Sequence, residues 1–117
     1  MDVYAEALAW ANQRGDSGGA QRMRQLVLSL YNHDFYAYSV GDAIAGLDAQ
    51  GRGIAMACLR EYASLGESKE LVRVGEQIRA SGMLTGWFEL CKAAYGARAE
   101  VRRRWSLEAT SDTGDRD

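Results

Sequence analysis

The chain has 117 residues, of which 47% are apolar and 26% charged, with a formal net charge of −2 at pH 7. This is the length of one soluble domain, able to bury roughly two thirds of its unfolded surface without a metal or a disulfide. The acid balance excludes bulk attraction to nucleic acid or to anionic membrane. Proline is absent; because proline is costly inside helices, the expectation is an all-α chain. No apolar run approaches the roughly 18 residues of a membrane span, and no signal peptide precedes the domain, so a cytoplasmic protein is expected.

In chain order, Asp2 is placed to cap a first helix over about 3–13, with Tyr4, Ala7, Leu8 and Ala11 inward and Val3 and Trp10 flanking. The segment 15-GDSGG-19 reads as a turn, because three glycines in five residues weaken a helix. The spacing predicts a second helix over about 20–31, with Met23, Leu26, Val27, Leu30 and Tyr31 at i, i+3, i+4, i+7 and i+8. Arg22, Arg24, Gln25 and Ser29 lie mostly off that stripe. Asn32 and Asp34 are turn formers, and 35-FYAY-38 reads as a short aromatic extended segment.

Ser39 and Asp42 form a capping box for a short helix over about 40–46 that would bury Val40, Ile44 and Leu47. Asp48 caps the next helix, about 49–64, with Ile54, Ala55, Cys58, Leu59 and Tyr62 inward. Gly51 and Gly53 weaken its first turns and can mark close packing against a neighbour. Gly66 ends it. Ser68 caps a helix over about 69–81 with Leu71, Val74, Gly75 and Ile78 inward and Gly82 after it. A last helix, about 86–107, lines up Trp87, Cys91, Ala94, Arg98, Val101 and Trp105. The polar stretch 108-EATSDTGDRD-117 is expected to be a disordered tail. The architecture expected is therefore a compact bundle of five or six helices over 1–107, one domain, followed by a tail.

The chemistry-bearing residues are few. Cys58 and Cys91 lack CxxC spacing and fall on apolar helix faces, which suits buried free thiols. One histidine and two separated cysteines do not give the local spacing of a zinc site. The glycines at 41, 46, 51 and 53 follow no strand and lead to no Gly-Lys-Ser/Thr, so no phosphate loop is read there. No cofactor and no metal is expected, and no residue is assigned a catalytic role. His33 and Asp34 are neighbours in sequence, and adjacent residues rarely orient one another for general-base work.

What remains is binding chemistry. Tyrosine, tryptophan and arginine are enriched at protein-interface hot spots. Six tyrosines and three tryptophans exceed the core needs of a small helical domain. The residues expected to touch a partner are His33, Tyr36 and Tyr38 in the loop and Arg102, Arg103 and Trp105 near the end of the last helix. The arginine run also suits a helix C-terminus, where the macrodipole favours cations. A homodimer is left open.

The segments 21-QRMRQLVLSLYN-32 and 39-SVGDAIAGLDAQGRGIAMACLREY-62 resemble small uncharacterised helical proteins of bacterial plasmids and integrative elements. In those proteins an arginine-bearing helix ends in an aromatic-Asn pair and a Leu-Asp step, here Leu47-Asp48, leads into the next helix. By type, a small, acidic, mostly helical chain is similar to the inhibitors that phages and mobile elements use against host defence, anti-CRISPR proteins among them. The first resemblance implies no known activity; from the likeness of type, the expectation is a non-enzymatic protein that binds a type I CRISPR effector complex or its recruited helicase-nuclease. The alternative is a small DNA-associated or regulatory protein of a mobile element, using Arg98 and Arg102 to Arg104.

Overall fold

The computed structural model describes the backbone of residues 2–116 and the side chains of residues 2–108. Six helices follow one another: α1 (Val3–Asn12), α2 (Gly18–Tyr31), α3 (Val40–Ala45), α4 (Ala49–Leu65), α5 (Lys69–Ala80) and α6 (Thr85–Arg116). No strand occurs among the described residues, and the fold class is all-α. None of the described helices is long and apolar enough to cross a membrane. The tail expected at 108–117 falls, beyond Glu108, outside the residues whose side chains are described.

Short polar side chains start the first five helices. Asp2 accepts a hydrogen bond from the Ala5 N–H at 2.9 Å, Ser39 from Asp42 at 3.2 Å, Asp48 from Gly51 at 2.7 Å and Ser68 from Leu71 at 3.2 Å. Each such cap satisfies one of the amide donors that a helix start leaves unpaired, worth about 1 kcal/mol. The same device starts α2 earlier than expected. Ser17 accepts from the Ala20 N–H at 3.2 Å, so Gly18 and Gly19 enter the first turn instead of remaining in a turn. Gly15, with φ of 62°, makes the reversal between α1 and α2.

The chain divides into two units, Met1–Thr85 and Gly86–Asp117. In the first, α2 is the hub: it packs against α1, α3, α4 and α5, and α1 also packs against α4 and α5. This position corrects the single-stripe reading of α2. Met23, Leu26 and Val27 are buried as expected, but so are Leu28, Arg24 and Ser29, while Leu30 is only half-buried. A helix surrounded on several sides has no wholly polar face to spare.

Close helix contacts explain two glycines. A Cβ on Gly51 would lie 2.7 Å from the Trp10 ring, and one on Gly75 would lie 2.6 Å from the Tyr31 ring. The bulky rings of α1 and α2 thus sit directly on the backbones of α4 and α5. Gly53 faces open space and serves no such contact. On α3 the burial is rotated from expectation: Val40 is 43% exposed, Ile44 is half-buried and Ala43 faces inward, while Leu47 after the helix is buried as expected. On α5 Leu71, Val74, Gly75 and Ile78 are all buried as the spacing predicts.

Candidate interaction surface

The loop after α2 is built around an aromatic cluster. Asn32 begins it: its Oδ1 accepts from the Phe35 N–H at 3.3 Å, and its carbonyl accepts from the Tyr36 N–H at 2.9 Å. This turn throws Tyr36 back onto α2. The Tyr36 ring stacks with Tyr31, centroids 6.4 Å apart, and takes Phe35 edge-on at 4.8 Å. Tyr36 is only 6% exposed, so its surface serves the interior. Tyr31 is held in turn by its hydroxyl, which donates to a Glu76 carboxylate oxygen on α5.

Tyr38 is half-buried, and its hydroxyl donates to Asp42 Oδ2 at 3.0 Å. Burial first, and then this hydrogen bond to a carboxylate, push its phenol up to about 12. The bond also redirects the capping box: Ser39 caps the Asp42 amide, while the Asp42 carboxylate accepts the hydrogen bond from the Tyr38 hydroxyl. His33 is exposed in the loop, as are Asn32, Asp34 and Ala37. Its Nδ1 lies 3.6 Å from Asp34 Oδ1, with the histidine side chain 72% exposed. An exposed pair at that distance is held weakly, and geometry gives His33 no oriented acid of the kind a general base requires.

The second group of expected residues lies on α6. Trp105 is 66% exposed, and Leu90 and Tyr95 are exposed as well; Leu107, also exposed, lies on the other side of the helix from Trp105. Arg102, Arg103 and Arg104 are exposed, while Arg98 and Val101 are half-buried. Arg103 is engaged with Glu100, Nη2 to Oε1 at 2.6 Å and Nε to Oε2 at 3.1 Å. That fork-on-carboxylate geometry is the stronger kind of ion pair. It neutralises the sole carboxylate within the run from Arg98 to Trp105. An array of exposed large apolar side chains beside arginines is the composition of a contact surface.

Sequence reasoning missed the buried arginine. Arg24 is 2% exposed. Its Nη1 donates to the Gly15 carbonyl at 2.7 Å and Gln21 Oε1 at 2.9 Å; its Nη2 donates to the Ala11 carbonyl at 3.2 Å and Asn12 Oδ1 at 3.4 Å. Four neutral oxygens, two of them backbone carbonyls at the end of α1 and in the turn after it, meet one guanidinium. Desolvation lowers its pKa, and the charge of Asp16 opposes that shift. A cation at a helix C-terminus is favoured by the dipole, so Arg24 is a clamp on the α1–α2 connection. The signal was present in sequence: Ala20, Arg24, Val27 and Leu28 fall at i, i+4, i+7 and i+8 on one face.

Beside Arg24 lies a cavity of about 290 Å³ lined by Leu8, Asn12, Arg24, Gln77, Ile78 and Ser81. It lies at the C-terminal ends of α1 and α5, whose partial negative charges offset the guanidinium. Both thiols are buried. Burial pushes the Cys58 thiol up to about 12, and Cys58 donates weakly to the Val3 carbonyl at 3.6 Å, the profile of an inert core thiol. Among the described residues no three histidine, cysteine or acidic side chains are grouped so as to hold a metal ion. Set against protein-family models, curated proteins and solved structures, the chain gives no match.

Proposed function

We propose that this chain is a non-enzymatic protein that acts by binding another protein. In its most concrete form it is an anti-CRISPR inhibitor that covers a surface of a type I effector complex or of the helicase-nuclease recruited to it. The observation that carries the reading is the exposed tryptophan, tyrosine and leucine side chains of α6 beside an arginine run. Apolar side chains of that size are normally buried, and exposed together they favour association with a complementary surface. His33 adds an accessible polar contact on the α2–α3 loop.

A plating assay tests the reading. Bacteria with an active type I CRISPR system express the protein and are challenged with a targeted phage and with a non-targeted one. Restored plaques on the targeted phage alone support the inhibitor. Unchanged plating on both phages across several subtypes would sink it. The DNA-associated alternative makes a separate forecast: duplex binding that weakens steeply as salt rises.

A further inference from the structure

We propose that the face of α6 carrying Ala94, Tyr95, Arg98, Val101, Arg102 and Trp105 docks as a helix into an apolar groove of a partner protein whose rim is acidic. This rests on the reading above that the chain works by binding protein, and names the chemistry of what it binds. Residues 94, 98, 101 and 105 follow the i, i+4, i+7, i+11 spacing of one helix face, with 95 and 102 at its edge. Helix-in-groove recognition uses anchors at this spacing.

Charge selects the occupant. From Arg98 to Trp105 there are four arginines and one glutamate, and Glu100 is bound to Arg103. Arg102 is exposed at the edge of the face that holds Val101 and Trp105, and carries positive charge that an acidic rim would complement. A second copy of the chain would set like charges from this face against each other in a parallel pairing. A nucleic-acid backbone is matched less well. Successive residues turn by about 100° around a helix, so Arg102, Arg103 and Arg104 point in three directions instead of tracking a phosphate row.

Cross-linking in living cells tests the docking face. A photoreactive residue is placed at position 94 or 101 on the face, and at 93 or 107 away from it, in the full chain. The host is the same type I CRISPR strain used for plating. The expected result is a cross-link to one protein from 94 and 101 only. The captured segment should be flanked by aspartate and glutamate, and Arg102→Glu should cut the yield at least tenfold while Arg102→Lys keeps most of it. A thermal melt of each variant shows that the fold is retained. Equal yields from 93 and 107, cross-links to nucleic acid, no cross-link, or indifference to Arg102→Glu would each overturn the proposal. Plaque protection without a face-specific cross-link leaves the inhibitor standing and removes this face. A face-specific cross-link to a protein outside the CRISPR machinery does the reverse.

Discussion

Arg24 carries a charge that the fold has taken out of water, and its neighbours are arranged to accept that charge. A point mutation there removes four hydrogen bonds at once and takes from the Gly15 carbonyl its guanidinium donor, while the Ala11 carbonyl keeps the Arg14 N–H at 3.0 Å. Leaving a buried neutral acceptor without its donor costs about 1–3 kcal/mol. Arg24→Ala should therefore lower the unfolding free energy by about that amount in urea titration. Arg24→Lys should recover only part, because an ammonium cannot span four acceptors in a planar fork. An exposed control, Arg60→Ala, should stay within about 0.5 kcal/mol of the parent. If Arg24→Ala matched that control, the clamp would be wrong.

Two other residues set a limit at high pH. Burial is the main cause that pushes Cys58 from 9.0 to about 12 and Tyr4 from 10.0 to about 12. In both cases the folded chain holds a proton that the unfolded chain gives up sooner. Their contribution is complete below pH 9 and is lost as pH climbs toward 12. Stability should fall above pH 9, with each such group contributing about 1.4 kcal/mol per pH unit inside its window. In Cys58→Ala the fall just above pH 9 should be shallower, because only Cys91, whose thiol burial also pushes up, still contributes there before the tyrosines join near pH 10. Identical alkaline limbs for parent and variant would show that the fold does not hold the Cys58 proton.

At the scale of the element, the glycines of α4 give a matched pair. Gly51→Ala places a methyl 2.7 Å from the Trp10 ring, whereas Gly53→Ala meets nothing within 4 Å. Alanine in a helix interior gains up to about 1 kcal/mol over glycine, and overpacking costs about 1–3 kcal/mol. Gly53→Ala should raise the melting temperature and Gly51→Ala should lower it. Gly75→Ala on α5 should behave like Gly51→Ala, since it strikes the Tyr31 ring. A gain from both α4 substitutions would mean that Trp10 is free to move aside.

The same pair marks how much of the fold can be read in sequence. The caps at Asp2, Ser39, Asp48 and Ser68 are local, and local chemistry is legible. So is α5, whose buried face follows one clean stripe. The pattern at Gly51 and Gly53 announced a weak helix start but not which glycine touches a ring, because that depends on a residue forty positions away. The hub role of α2 was hidden for the same reason: contact with four partners buries Arg24 and Ser29, which sequence assigns to a polar side. Of the residues proposed to touch a partner, exposure could be anticipated only in part. Arg102, Arg103 and Trp105 are exposed on α6, whereas Tyr36 is taken inward by a turn whose aromatic packing no spacing rule encodes.

At the scale of the whole molecule, all the buried apolar side chains among the described residues except Cys91 lie in the first unit, Met1–Thr85. A chain of that length with its own core, five capped helices and the Arg24 clamp has what independent folding requires. The fragment 1–85 should therefore unfold in a single cooperative transition, followed by circular dichroism in urea. The same fragment lacks Tyr95, Arg98, Arg102 and Trp105. In the phage plating assay it should give no protection even when expressed at the level of the full chain. The two readouts separate fold from function. A fragment that melts without a transition would place part of its stability in residues 86–117. A folded fragment that still restores plaques on the targeted phage would move the binding surface from α6 to the first unit, with His33 the accessible residue to test next.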